Sequence, residues 1–350
     1  MKIAYIVPGL DPTGPIIVVR NLIQSLISTN HRIDLYYIKD RDRIMDFPCN
    51  VKKIDTTSPI DFDKYDIIHS HCYSADCYVK KWRHYIKKAI TITTIHQDTF
   101  ASVRYTYLFP ISYLIARQIL NVQSKFNGII AISKQVKDIH QPYFRNDIKV
   151  IYNGISFISH DTVGNNLNPD FIEAIRTFKS DASILLGTYA NIVKRKGLSQ
   201  VFKVLVQNRD YRFVIIGDGL YKNDLIKESK DLGISKQVLF LPFVESPYLY
   251  FNDIDVYCMP SYSEGFGLAL LEAAYSNKAI VCSDLPSFHE LFTDEVVFFK
   301  PDDINSLSDA IGKAYSNKNE YGLMAHGRAK EFTKEIMARK HLEYYKELLK

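Results

Sequence analysis

Residues 260–290 read Pro-Ser-Tyr-Ser-Glu-Gly-Phe-Gly-Leu-Ala-Leu-Leu-Glu-Ala-Ala-Tyr-Ser-Asn-Lys-Ala-Ile-Val-Cys-Ser-Asp-Leu-Pro-Ser-Phe-His-Glu. An apolar run of strand length at 254–260 leads into it, Gly265 and Gly267 let backbone approach a ligand, and 268–275 is apolar on every side of the helical wheel, the pattern of a buried helix. Strand, glycine turn and buried helix form the unit of a doubly wound α/β domain, and the helix amides point at whatever sits above the strand end. That arrangement suits an anion. Glu264 falls in the turn and Glu272 in the helix, where an unpaired carboxylate is costly and something polar must meet it. At the helical rise, eight residues put the two carboxylates on the order of 10 Å apart, enough to reach two sugars of one elongated ligand. Two hydroxyl-rich rings joined by a diphosphate fit; a salt-bridged structural glutamate is the plainer reading of either acid.

Working outward, the same alternation fills the chain. Residues 2–7 form an apolar strand, 9–15 a Gly/Pro loop, and 16–28 carry apolar residues at helical spacing. Further strands are expected at 32–37, 66–70, 89–95 and 128–132, with helix-length segments between them. A polar stretch at 156–169 reads as a linker. After it the pattern restarts, with strands at 184–189, 213–216, 238–241 and 256–259 and helices at 198–206 and 220–232. Such alternation builds parallel sheets, and 350 residues exceed what one core organises, so two domains are expected, 1–160 and 170–331. Residues 332–350 close the chain as an amphipathic helix.

Composition excludes several classes. The chain is 47% hydrophobic without low-complexity tracts, which excludes disorder. It has no run of 18 apolar residues and opens on a strand instead of a signal peptide, so a cytoplasmic protein is expected. Five cysteines without a Cys-x-x-Cys pair read as free buried thiols in a reducing compartment. The net charge of +5 is unevenly spread: residues 1–155 hold 21 Lys and Arg against 13 Asp and no Glu, a net of +8, and the remainder is −3. A basic first half suits a phosphate-bearing acceptor or an anionic membrane; no nucleic-acid-binding motif accompanies it, so nucleic acid is not expected as a partner.

Candidate chemistry lies at strand ends. Residues 189–197, Tyr-Ala-Asn-Ile-Val-Lys-Arg-Lys-Gly, follow the first strand of the second domain, and Lys196 there can stabilise charge developing on a departing phosphate. Lys194 and Arg195 read by themselves as a solvated basic turn. The loop 8–15 precedes a helix and can offer amides to a phosphate, although by itself it reads first as an ordinary tight turn. His96 stands at the end of the strand 90–95, where doubly wound folds place functional residues. His69 and His71 alternate at the end of another strand, but no carboxylate or Cys stands at ligand spacing, so no metal is assigned. Asp253-Ile254-Asp255 precedes a strand instead of ending one, and reads as structural.

Taken together, residues 260–290 resemble the donor-site signature of the family 4 glycosyltransferases of GT-B fold, two glutamates separated by seven residues, then a small-residue strand and a further Glu; Glu264, Glu272 and Glu290 match the three acids. The resemblance implies two Rossmann-like, doubly wound domains facing across a cleft, an acceptor-binding first domain to which the helix 332–350 crosses back, and a donor-binding second domain. It implies a retaining, metal-independent transferase with no cofactor, moving a sugar from a nucleoside diphosphate sugar, a UDP sugar foremost, to a glycan. By the match, Glu272 holds the ribose hydroxyls, Glu264 with Gly265, Phe266, Gly267 and Leu268 the donor sugar, Lys196 with Gly14 the diphosphate, and residues 238–243 the base. His96 orients a hydroxyl near the transferred sugar, and Asp98 binds the acceptor. Two positions depart from the pattern: Pro15 replaces the second glycine of the first loop, and Asn191 stands where an Arg is usual, leaving Arg195 as candidate substitute.

Residues 11–19, Asp-Pro-Thr-Gly-Pro-Ile-Ile-Val-Val, resemble members that build bacterial surface polysaccharides, which implies a lipid-linked oligosaccharide acceptor. Residues 80–88, read as a helix, group Trp82, Tyr85 and Ile86 among lysines as interfacial helices do, and the aromatic stretch 105–120 suits the same end, peripheral contact with an anionic membrane at the inner face of the cell membrane. Two rivals stand: a nucleotide-sugar epimerase of the same fold, and a non-catalytic nucleotide-sugar or glycan-binding protein.

Overall fold

The computed structural model describes residues 1–156, 167–179 and 184–350. Of the expected linker, 157–166 lie outside the described residues. The chain forms two compact units, Met1–Ser156 with Phe332–Lys350, and Phe157–Glu331.

Unit 1 is built on a seven-stranded parallel sheet: β1 (Lys2–Val7), β2 (Arg32–Tyr37), β3 (Asn50–Lys53), β4 (Ile67–His71), β5 (Ile90–Ile95), β6 (Gly128–Ala131) and β7 (Lys149–Val150), in the order β3-β2-β1-β4-β5-β6-β7. β1 and β6 are near-continuous apolar runs, whereas the interior strands β4 and β5 carry buried His, Ser and Thr among their isoleucines. The helices of this unit are α1 (Gly14–Ile27), α2 (Tyr73–Lys81), α3 (Thr99–Arg104), α4 (Ile111–Gln123) and α5 (Lys134–His140). In α1, Pro15 sits in the first turn, where its missing N–H costs nothing, and Ile16, Val19, Leu22, Ile23 and Leu26 bury one stripe. Leu22 and Ile23 are fully buried, each stabilising by roughly 1.5–3 kcal/mol.

Unit 2 repeats the plan with six parallel strands: β8 (Ile184–Tyr189), β9 (Tyr211–Ile216), β10 (Val238–Leu241), β11 (Val256–Met259), β12 (Ala279–Ser283) and β13 (Val297–Phe299), ordered β10-β9-β8-β11-β12-β13. Its helices are α6 (Pro169–Lys179), α7 (Ser199–Gln207), α8 (Lys222–Asp231), α9 (Leu268–Tyr275), α10 (Pro286–His289), α11 (Ile304–Ser316) and α12 (Lys318–Ala329). The final helix, α13 (Lys334–Leu348), belongs to unit 1, where the Tyr345 hydroxyl lies 3.1 Å from that of Tyr5. In each sheet the order reverses beside the first strand, between β1 and β4 and between β8 and β11. Those switch points open crevices at the carboxyl ends of the strands.

Several expectations needed correction. Residues 80–88 are not one helix: α2 ends at Lys81, and a tight turn at Arg83–Tyr85 follows because the chain must reach β5 by Ile90. Trp82 and Tyr85 still meet edge to face, 5.6 Å between ring centroids. Strands β3, β7 and β13 went unforeseen; β3 is polar, and the other two span two and three residues, as edge strands do. All five cysteines are free, but only Cys258 and Cys282 are fully buried. The Asp253-Ile254-Asp255 triplet lies at the amino end of β11: Asp255 accepts from the Leu185 amide at 3.0 Å and pairs with Lys318 and Lys179, and Asp253 pairs with Arg176.

Candidate active site

In unit 2 the loops following β8 and β11 meet at the switch point. Gly197 makes the contact feasible. Its φ is +63°, and a Cβ there would lie 2.0 Å from the Pro260 carbonyl oxygen, so no other residue fits without moving backbone. Gln200 Nε2 donates to that same carbonyl at 2.8 Å, and the Tyr262 amide donates to the Arg195 carbonyl at 2.8 Å.

This stitching delivers three groups to one oxygen. Lys196 Nζ donates to Glu264 Oε1 at 2.6 Å, Ser261 Oγ donates to it at 2.8 Å, and Arg195 Nη1 lies 3.2 Å away while also donating to the Ser263 carbonyl at 2.8 Å. Oε2 takes no hydrogen bond recorded among the described residues. Burial pushes the Glu264 carboxyl up, but the charges of Lys196 and Arg195 outweigh it and hold Glu264 below the usual glutamate range. Lys196 is drawn below the usual lysine value, by burial first, with Glu264 opposing and Arg195 assisting. Two cations around one carboxylate leave a surplus positive charge.

Glu272 lies one turn into α9, and its partner is the Tyr189 hydroxyl, which donates to Oε2 at 2.5 Å. Burial pushes Glu272 up to about 7 despite that bond, and Tyr189 is pushed well up by burial and by the neighbouring carboxylate. Gly267 caps α9 with φ +114°, and a Cβ there would stand 3.0 Å from the Phe288 ring. Phe266 is buried, Leu268 opens the helix, and Asn191 is exposed on the facing loop.

The remaining sequence-derived positions belong to unit 1. Gly14 is exposed at the first residue of α1, beside Pro15. Asp98 caps α3, its Oδ1 accepting from the amides of Phe100 and Ala101 at 2.8 and 3.0 Å. His96 follows β5, and its Nε2 lies 2.9 Å from Nδ1 of His71, the last residue of β4. Burial lowers His96 to about 3, so the imidazole is neutral at physiological pH. Sequence reasoning missed Tyr189 and Ser261, and weighed His71 only as a metal ligand. The usable signal for Tyr189 was its place at the end of the first strand of its sheet. Among the described residues, no group of three or more His, Cys, Asp or Glu could hold a metal ion.

Comparison with known proteins bears on this arrangement. The family model described as Glycosyltransferase Family 4 matches residues 13–157, and that described as Glycosyl transferases group 1 matches residues 171–331. The O-antigen biosynthesis glycosyltransferase WclY of Escherichia coli is 30% identical over 362 residues, covering 100% of this chain and 99% of that protein. The N-acetylgalactosamine-N,N'-diacetylbacillosaminyl-diphospho-undecaprenol 4-alpha-N-acetylgalactosaminyltransferase of Campylobacter jejuni is 34% identical over 147 residues, 39% of each chain. Among solved structures, Anabaena Alr3699/HepE in complex with UDP-glucose superposes with a TM-score of 0.78 at 18% identity, covering 99% of this chain and 100% of that one.

Proposed function

Since the chain belongs to the family 4, group 1 glycosyltransferases and has the two Rossmann-like domains of the GT-B fold, we propose that it is a retaining enzyme that needs no metal and moves a sugar from a UDP sugar to a lipid-linked oligosaccharide during surface polysaccharide synthesis. One observation carries the reading: Lys196, Arg195 and Ser261 converge on a single oxygen of Glu264 and leave the other oxygen and a surplus positive charge for a ligand. UDP-glucose in a structural neighbour and the O-antigen and undecaprenol-linked relatives support the donor and acceptor classes.

In this reading Glu264 Oε2 accepts from a hydroxyl of the donor sugar, and the Glu272 carboxylate accepts from the ribose hydroxyls. Lys196 and Arg195 face the diphosphate, Arg195 taking the place of the arginine usual at position 191. The bond between the anomeric carbon and the phosphate oxygen breaks with its electron pair going to the phosphate, where the two cations stabilise the growing charge. The acceptor hydroxyl attacks from the same face and gives its proton to that phosphate oxygen, so configuration is retained. Cations do the work a metal ion would do. His96, neutral, orients a sugar hydroxyl, and Asp98 addresses the acceptor with Oδ2.

No helix among the described residues is long and apolar enough to cross a membrane. Leu108, Phe109, Ile111 and Leu114 nevertheless stand exposed between Arg104 and Arg117 in the basic unit, Leu108 at 86%. That combination supports peripheral contact with an anionic cytoplasmic membrane face carrying the acceptor.

The test is a panel of UDP-, GDP- and dTDP-hexoses followed by thermal shift, slow donor hydrolysis and transfer. Stabilisation and hydrolysis by a UDP sugar are expected. A protein stabilised by no donor refutes the proposal; epimerised sugar without acceptor, or binding without turnover, would favour the rival readings.

A further inference from the structure

Unit 1 holds a buried column of imidazoles that the proposed transfer leaves unused. His69 and His71 stand two residues apart on β4, so their rings share one face of the sheet, with centroids 4.3 Å apart. His69 is satisfied at both nitrogens, Nδ1 by the Tyr345 hydroxyl at 2.6 Å and Nε2 by Thr94 Oγ1 at 2.8 Å. His71 is not. Its Nδ1 meets His96 Nε2, but its own Nε2 is buried without a partner in a side chain that is 0% exposed.

Between two neutral imidazoles one nitrogen donates and the other accepts. If His96 donated, His71 would carry its proton on Nε2, a buried N–H facing no acceptor. If His71 donates, only a bare lone pair is left there. Orphaned buried N–H groups are the rarer defect in folded proteins. Both rings are held neutral, His71 well below the usual histidine range by burial and then by His69, His96 and His341, and His96 by burial and then His341. Tilted contacts with His69, 4.3 Å between centroids, and with Tyr5, 6.1 Å, hold the plane of the His71 ring and so the direction of its Nδ1.

We propose that His71 is a positioning residue whose Nδ1–H donates to Nε2 of His96, fixing His96 as its Nδ1–H tautomer, so that His96 offers a ligand a hydrogen-bond donor and not a base. The functional half of this rests on the reading of His96 given above; the tautomer does not. Long-range ¹⁵N–¹H spectra of histidine-labelled protein distinguish protonated from bare ring nitrogens, and His96→Gln assigns the signals. Native His96 is expected with a bare Nε2 and a protonated Nδ1. Replacement His71→Leu should release it to a mixture of tautomers, whereas His71→Asn, whose amide N–H can occupy the place of Nδ1–H, should restore the native pattern. Release of UDP from UDP-glucose, or from the panel sugar that turns over fastest, should fall roughly tenfold in kcat in His71→Leu, the size of one lost hydrogen bond, with KM changed much less and most of the loss regained in His71→Asn. A native His96 protonated on Nε2 would overturn the proposal, as would equal kcat losses in the Leu and Asn variants. Should His71→Leu fail to fold, the native spectrum and His71→Asn still decide. Native turnover in His96→Ala would remove the role of His96 while leaving the tautomer to stand on the spectra.

Discussion

Replacing Tyr189 by Phe removes one hydroxyl and tests how Glu272 recognises a nucleotide. Tyr189 donates at 2.5 Å to a carboxylate that burial has already pushed up to about 7, and that bond favours the ionised form. A hydrogen bond to a charged group contributes about 1.5–3 kcal/mol, and one pKa unit corresponds to about 1.4 kcal/mol, so Tyr189→Phe should raise the Glu272 midpoint by roughly one to two units. Ribose hydroxyls donate more strongly to the carboxylate than to the protonated carboxyl, one oxygen of which carries a proton of its own. UDP affinity in the native protein should therefore rise with pH through about 7. In Tyr189→Phe the same rise should come one to two units later, leaving affinity at neutral pH roughly tenfold lower and recovering near pH 9. Calorimetric titration with UDP between about pH 5 and 9 reads this, with Glu272→Gln as the control that removes the titrating group and cancels ionisation of the UDP phosphate itself. Stability carries the opposite sign. A carboxyl whose folded value lies above its unfolded 4.5 contributes stability fully present below 4.5 and lost as pH rises through about 7. Glu272→Gln should flatten that fall in melting temperature. Coincident midpoints in native and Tyr189→Phe proteins, or a pH dependence of affinity retained in Glu272→Gln beyond that of UDP, would refute the reasoning.

Lys196→Ala should cost about 10²–10³ in kcat, the magnitude of one lost donor at a developing oxyanion, with a smaller rise in KM; Arg195→Ala should cost less, because the guanidinium is further from Glu264. Steady-state donor hydrolysis measures both, and a loss confined to KM would contradict the leaving-group role. Gly197→Ala forces a strained φ and a clash with the Pro260 carbonyl, and should lower unfolding free energy by about 1–3 kcal/mol in denaturant titration while weakening UDP binding; an unperturbed variant would show that the two loops are not held as described. Leu108→Glu combined with Phe109→Glu should leave the melting temperature unchanged and abolish co-sedimentation with vesicles containing anionic phospholipid. Native binding in that double variant would assign membrane contact elsewhere.

The features legible in the sequence are those that physics writes locally. β1 and β2 were readable to the residue, β1 as an apolar run and β2 from the β-branched and aromatic residues around Asp34, and Glu264 and Lys196 could be singled out as candidates because each stands on a loop that follows a strand. β3, Asn50–Lys53, was unreadable because an edge strand takes its order from β2 beside it and not from its own polar side chains. The same limit hid Tyr189 and His71. Tyr189 meets a carboxylate 83 positions later in the chain, and His71 a histidine 25 positions later, just past the end of the adjacent strand. Neither partner is implied by spacing; both follow once the parallel order brings β8 beside β11, and β4 beside β5. The departure at Asn191 shows how the two kinds of information combine. Sequence alone locates a missing cation and offers Arg195 as substitute, while its neighbours make it read as a solvated turn. The fold bears on the second reading alone: the hydrogen bond from Tyr262 to the Arg195 carbonyl and that from Arg195 to the Ser263 carbonyl draw the guanidinium in against Glu264. In the proposed reading, a clamp with its cation moved four residues along the chain keeps its charge and changes the direction of approach. Arg195→Ala and Asn191→Arg should therefore compensate each other in part when combined, and a double variant no better than Arg195→Ala alone would show that the two positions do not serve one phosphate.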